Sequence, residues 1–433
     1  MASGSTASNT EVRAAALGPL PWLVLALAGA LQFGPLLVAV AYPPRSHILD
    51  FFQDWSSARC YLAGRSIYTP LVESAHEFLG LEVDPVRSHL GRQSTHPPAS
   101  VLLALPLAFL GYPEAFLVWN LLSLGMLVVS AGLIARELGP PWPGAGLAVG
   151  VAVALLASPL FAQVLHAQVN LFLLLLITLA WRASRREAWG VAGVVVRTAA
   201  AGEALPGHPF LYLPVRGRRL GIVAGGLAFG LWNLVAWWLF GTQAFEEYQR
   251  FLLPHLGEYR SDWLNASLAG FSNRLFDVGS AGAQVTPLWP APWLAKGVWL
   301  LGAVVFTGLA GWAGARAATA RQRDAAFGLT ITAMLLVSPF TWEHYLLLLL
   351  LPLWLVAQEP MGKGMALAFA LVLVGLWVNP AFFWAWSVPP GFGKVVAQPW
   401  QVLTLIGVKF YAVLGLFVLQ GIGFIRQGRV SPA

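Results

Sequence analysis

An all-α, polytopic transmembrane fold is predicted for this chain of 433 residues by three observations. Hydrophobic residues make up 58% of it and charged residues only 10%, against about 25% charged in a soluble domain. Its mean hydropathy is +0.68. Apolar runs of about 15–24 residues recur from end to end, the length a helix needs to cross a hydrocarbon core.

Basic residues orient the runs. Arg136, Arg182–Arg186, Arg216–Arg219, Arg316–Arg323, Lys363 and Arg426–Arg429 each flank an apolar stretch. With these clusters cytoplasmic, the outer segments are 43–98, 161–168, 242–294, 339–343 and 380–401. The spans between them are 20–42, 114–135, 144–160, 169–182, 188–204, 206–215, 220–241, 295–315, 325–338, 344–358, 364–379 and 402–424. That number is even, so both termini are expected inside. The bundle is expected to hold about 10–13 spans, because 99–111 and 206–215 are short for a crossing and 188–204 carries Arg197 and Glu203. The run at 20–42 follows a polar N-terminus without a small-residue cleavage site and reads as a retained first span, not a signal peptide.

The chain thus reads as one integral membrane domain, 1–433, with large extracytoplasmic loops at 43–98 and 242–294. The first loop opens with Phe51, Phe52, Trp55, Tyr61 and Leu62 among polar residues, the pattern of a helix lying in the interface plane. The second mixes Tyr, Trp and charge, as functional loops do. Twenty tryptophans suit interfacial belts. The net charge of +7 comes from short Arg clusters between spans, which points to membrane lipids and away from nucleic acid. Cys60 is the only cysteine, so no internal disulfide forms.

Four outer-side constellations carry candidate chemistry. Asp50 and Asp54 stand one helical turn apart just past a span. A carboxylate there can act as general base toward a sugar or lipid hydroxyl, or cap a helix and pair with Arg59. Trp342-Glu343-His344 opens an apolar run; His344 can donate to a phosphate or leaving oxygen, or bond to backbone at the interface. Gln163, His166, Gln168 and Asn170 cluster at a span entrance, where polar groups line cavities or satisfy one another. In Asn265-x-Ser267-x-x-Gly270-x-x-x-Arg274, the arginine is suited to clamping a phosphate or to a loop salt bridge.

Other chemistries are argued against. The sequence has no Gly-rich phosphate loop after a strand, no nucleophile elbow and no Cys/His zinc spacing. No cofactor is called for and no metal site is assigned, although His47, Asp50 and Asp54 form a pattern permissive of a divalent metal. A transporter would show paired Gly/Pro-broken spans near the midplane, whereas the charges here sit at span ends.

In this order and spacing the motifs resemble glycosyltransferase family 87, polytopic GT-C-type enzymes related to polyprenol-phosphate-mannose-dependent mannosyltransferases. The matching pieces are Asp50 to Tyr68, with its Ala58-Arg59 and Gly64; His96-Pro97-Pro98 before a Leu-rich run; Gln168-Val-Asn170; Asn265 to Arg274; and Ser338-Pro339-x-x-Trp342-x-His344-Tyr345. The likeness extends over about residues 15–425. It implies transfer of a hexose, mannose foremost, from a polyprenyl-phosphate-sugar donor to a lipid or glycan acceptor. The transfer would invert the anomeric carbon on the extracytoplasmic face of the plasma (inner) membrane.

On this resemblance Asp50 is the general base, with Asp54 as helper. His344, Arg274, His96, Gln168, Asn170, Tyr68 and Trp342 are expected at the donor phosphate or substrate, and Asp50, His344 and Arg274 are expected to converge on one outer cavity. One position departs from the pattern: Glu203 stands where the family usually carries a lysine, and Arg197 where a small or apolar residue is expected. The rival readings are a transporter or flippase of lipid-linked sugar and a catalytically silent relative.

Overall fold

The computed structural model describes residues 50–82, 93–140, 154–203, 211–255, 260–277, 285–379 and 397–430, and a few isolated positions. The expected span 20–42 lies almost wholly outside the described residues, as do His47, 144–150, 206–210, Tyr259 and the outer stretch 380–396. In chain order the helices are α1 (Asp50–Leu62), α2 (Leu71–Leu79), α3 (Pro98–Ala104), α4 (Tyr112–Leu138), α5 (Ser158–His166), α6 (Asn170–Arg185), α7 (Trp189–Gly202) and α8 (Tyr212–Val215). There follow α9 (Arg219–His255), α10 (Leu268–Phe276), α11 (Pro292–Arg316), α12 (Ala320–Val337), α13 (Leu350–Ala357), α14 (Lys363–Trp377), α15 (Pro399–Gln401) and α16 (Val408–Val430). Short 3-10 segments extend α3 (Leu105–Phe109) and lead into α13 (Glu343–Leu349). No strand occurs among the described residues, and the all-α bundle is as expected.

Among the described residues, four helices are long and apolar enough to cross a bilayer: Tyr112–Leu138, Arg219–Arg250, Pro292–Arg316 and Val408–Gly428. The pair α5 and α6, bent by 116°, makes a fifth, broken span. The 27 residues of α4 reach about 40 Å at 1.5 Å per residue. Pro113 sits in its first turn, where a missing N–H costs nothing, and Gly139 at φ 77° ends it. The outward faces of α4, α9 and α11 carry exposed Leu and Val, with Trp238 76% exposed, the surface expected against lipid tails and their interface. Helix α12 is instead buried along almost its whole length and anchors the core.

Three expectations are corrected. The 144–160 span is interrupted: Ala157 is extended (ψ 134°) and a new helix starts at Ser158, because Pro159 has no N–H to continue an upstream helix. The outer loop foreseen at 161–168 is therefore mostly helix α5, turned back at Ala167 in the left-handed region (φ 45°). Helix α1 forms at the start of the first loop as expected, and its Phe51, Phe52, Trp55, Ser56, Ser57, Ala58 and Cys60 are buried under α3, α4 and the adjoining 3-10 turn. Aromatic packing of Phe51 and Phe52 on Tyr112 holds it there. Of the expected span 206–215, the described part forms only the four-residue α8.

The two ends of the bundle differ in chemistry. At one end Glu137 of α4 meets Arg182 (2.7 Å) and Arg186 (3.0 Å), Arg185 pairs with Asp324 (2.9 Å), and Arg216 donates to the Ala317 carbonyl. The basic clusters thus converge on one end, as their spacing along the sequence foresees. The start of α6, the end of α7 and the end of α12 lie at the other end, where α1 packs. Close approach of α7 to α9 requires Gly193, since a Cβ there would collide with the Gly221 backbone.

Candidate active site

Helix α1 presents both carboxylates on one face, because residues four apart share a helical face, and Asp54 lines the cleft. Asp54 Oδ1 lies 2.8 Å from His96 Nδ1 and accepts from Ser100 Oγ at 3.4 Å. Asp50 Oδ2 accepts from Gln168 Nε2 at 2.8 Å and stands 3.2 Å from His166 Nδ1. The latter is an ion-pair approach without the alignment of a full hydrogen bond. Each carboxylate therefore has its own imidazole.

The loop bearing His96 is tied to α1 and to the first loop. Gln53 Oε1 accepts from the Thr95 N–H at 3.1 Å. The Tyr68 hydroxyl donates to the His96 carbonyl at 2.8 Å, so Tyr68 positions His96. Pro97 and Pro98 end this extended stretch and start α3. Burial alone would lower the His96 pKa, but the adjacent Asp54 charge and hydrogen bond raise it to about 10. His96 is thereby held in its protonated form at neutral pH. Burial would likewise raise Asp50, yet contact with His166 and the charges of the neighbouring imidazoles hold it well below the usual carboxylate range.

The second tier comes from the 3-10 turn after α12. The His344 ring centre lies 5.8 Å from that of His166, so His344 reaches Asp50 through a second imidazole. The next residue, Tyr345, donates its hydroxyl to Glu203 Oε1 at 3.1 Å. Glu203 shares a narrow cleft with Asp54, His96 and Ser100; Phe51, Leu103, Leu107 and Trp119 supply its apolar walls. Arg197 does not turn toward Glu203: its guanidinium sits over the Phe229 ring of α9, 5.6 Å from the centre.

Gln168 and Asn170 occupy the α5–α6 turn, where Trp119 Nε1 donates to the Gln168 carbonyl at 3.4 Å. Asn170 is fully buried, and neither of its side-chain polar atoms has a hydrogen-bond partner among the described residues. Trp342 packs against the core beside the Phe340 ring and does not line the cleft.

Arg274 lies apart from this cluster, and of the three groups expected on one cavity Asp50 and His344 are linked through His166, neither of them lining the cleft. Its Nη1 donates to the carbonyls of Asp262 (2.7 Å) and Asn265 (2.8 Å), and the residue is 1% exposed. The whole Asn265–Arg274 motif is a loop clamp. Asn265 Nδ2 donates to the Pro339 carbonyl (2.9 Å), while its Oδ1 accepts from Thr341 N–H (3.0 Å). Ser267 caps α10 by accepting from Gly270 N–H. The motif fixes the chain that leads to His344.

Sequence reasoning left His166, Glu343 and Tyr345 without a role and passed over Lys409. His166 was legible as part of the Gln163–Asn170 polar cluster, and Tyr345 as a polar group at the head of an apolar run. Among the described residues, no group of three or more His, Cys, Asp or Glu side chains is arranged to hold a metal ion.

A helical membrane bundle with a carboxylate- and imidazole-lined cleft at the end opposite its basic clusters is the class that fold and site define. The chain belongs to glycosyltransferase family 87, whose model matches residues 95–339. It is accordingly a glycosyltransferase. The matched region holds His96, Gln168, Asn170, Glu203 and Arg274, while Asp50, Asp54 and His344 lie outside it. No curated protein matches the chain.

Proposed function

We propose that the protein transfers a hexose, with mannose the first candidate, from a polyprenyl-phosphate donor to a hydroxyl of a lipid or glycan acceptor, inverting the anomeric carbon. Asp50 takes the hydroxyl proton as the acceptor oxygen attacks; the bond from the anomeric carbon to phosphate oxygen breaks, and the polyprenyl phosphate leaves with the bonding pair. The imidazolium of His96 opposes the charge that develops on the departing phosphate. Gln168 and His166 orient Asp50, and His344 backs His166. The observation that supports this reading is one turn of α1 setting two carboxylates each against its own histidine, Asp54 with His96 in the cleft and Asp50 with His166 one turn away.

The cleft end faces outward and both termini face the cytoplasm of the plasma (inner) membrane, the orientation that cytoplasmic basic clusters require. Glu203 favours a second reading. A carboxylate in the cleft repels a phosphate, and its tyrosine partner does not neutralise it, as suits a catalytically silent relative or a carrier of lipid-linked sugar.

The test is transfer of radiolabelled hexose from polyprenyl phosphate to membrane lipid by the purified protein, comparing wild type with Asp50→Asn. Loss of a general base lowers turnover by roughly 10²–10⁴-fold. Wild-type turnover in Asp50→Asn would remove Asp50 from the role. Absence of transfer by wild type with every polyprenyl-phosphate hexose would favour the silent or transport reading.

A further inference from the structure

We propose that the buried ion pair Glu343–Lys409 is a positioning device that locks the His166–His344 imidazole pair in register behind Asp50; the inference rests on the glycosyl-transfer reading above. Glu343 Oε1 lies 3.2 Å from Lys409 Nζ, with side chains 11% and 4% exposed. Lys409 also donates to Ser158 Oγ at 2.9 Å and to the Leu376 carbonyl. All three protons of its ammonium group are therefore placed. Ser158 Oγ in turn donates to Glu343 Oε1.

These few side chains join four elements at one point. Ser158 is the first residue of α5, which ends at His166. Glu343 opens the 3-10 turn that carries His344. Lys409 starts α16, and Leu376 belongs to the last turn of α14, whose carbonyls favour a cation. The two histidines thus sit on elements whose starting residues are bonded to each other.

The local geometry explains why three adjacent residues serve three partners. A 3-10 helix has three residues per turn, so neighbours leave its axis about 120° apart. Glu343 turns to Lys409 and Ser158, His344 to His166, and Tyr345 to Glu203. An α-helical start would change these angles and break the simultaneous fit. His166, Asp50 and His96 act electrostatically on His344, and the Tyr345 ring packs edge-on to it at 4.9 Å. None of these joins the α5 start to the 3-10 start; Ser158 Oγ does, donating to Glu343 Oε1 while accepting from Lys409, so the ion pair closes the link from a third helix.

A salt bridge this deeply buried has no need of solvent to stay closed, and stability alone is a poor reason for it. Replacing both members of such a pair by uncharged residues of similar volume commonly leaves a fold as stable as before. What apolar replacements do not supply is directional geometry.

The experiment compares wild type, the double variant Glu343→Gln/Lys409→Met and the conservative Glu343→Asp, all full-length in nanodiscs. Thermal unfolding, kcat and KM for polyprenyl-phosphate hexose, and ring resonances in histidine-labelled NMR spectra are recorded. The double variant is expected to keep its unfolding temperature while kcat falls about 100-fold, the scale of a misplacement near 1 Å. Its KM stays unchanged and the His166 and His344 resonances move; Glu343→Asp recovers part of kcat.

Wild-type kcat and wild-type histidine resonances in the folded double variant overturn the proposal. If the double variant does not fold, Glu343→Asp decides by the same two readouts. If wild-type protein transfers no hexose, the histidine spectra decide alone: shifted resonances support the positioning role while the transfer reading fails, and unshifted ones overturn it.

Discussion

Replacing Asp54 by asparagine removes the charge that keeps His96 protonated. The rise of the His96 pKa from 6.5 to about 10 corresponds to about 5 kcal/mol at ~1.36 kcal/mol per pH unit. That figure is an upper bound, because His96 and Asp54 keep 18% and 21% of their side-chain surface open. Solvent screening leaves roughly 2–3 kcal/mol. The folded pKa lies above the unfolded one, so this stabilisation is complete below about pH 6.5 and is lost as pH rises through about 10. In Asp54→Asn, burial acts on His96 against only the weaker charges of Glu203 and Asp50, and its pKa falls. The variant is expected to be less stable than wild type by about 2–3 kcal/mol at pH 6, and the gap should close as pH approaches 10. Thermal unfolding across this pH range and NMR titration of the His96 ring supply both measurements. A variant whose His96 still titrates near 10, or a stability gap that widens with pH, would refute the reasoning.

Two further predictions concern the loop clamp. A Cβ at Gly270 would lie 2.6 Å from Asn265 Cγ, so Gly270→Ala is expected to cost about 1–3 kcal/mol, read as a lowered unfolding temperature and impaired turnover together; an unaffected unfolding temperature would show that the Asn265 hub yields freely. Arg274→Lys loses the reach to the Asp262 and Asn265 carbonyls and should lower stability by roughly 1–3 kcal/mol while the folded fraction keeps its donor KM. A raised donor KM at unchanged stability would give Arg274 the phosphate role.

The positions of Asp50, Asp54, His96 and Gln168 were legible because each stands beside a span end and within an ordered set of motifs. Asp54 gained weight in three dimensions. Spacing treats it as a helper, yet it lines the cleft beside His96, whereas Asp50 is engaged by Gln168 and His166. The backbone contacts of Arg274 were not legible in the sequence, for a physical reason. A guanidinium in an outer loop suits phosphate as well as backbone carbonyls, and the sequence carries no sign of which lies nearby. The ion pair of Glu343 and Lys409 was invisible because its members are 66 residues apart and each looks like an ordinary interfacial charge.

The sequence by itself determined the environment. Hydropathy, apolar run length and the spacing of arginines are local properties, and in a bilayer they leave a helical bundle with basic clusters at one end as the outcome. Only the tertiary structure decided which polar groups face one another. Burial in a protein interior forces each to find a specific partner, and those partners lie on different helices. That is why α1 packs its aromatic face into a wall of the site, why Glu203 met Tyr345, and why one arginine motif clamps the loop on the approach to His344.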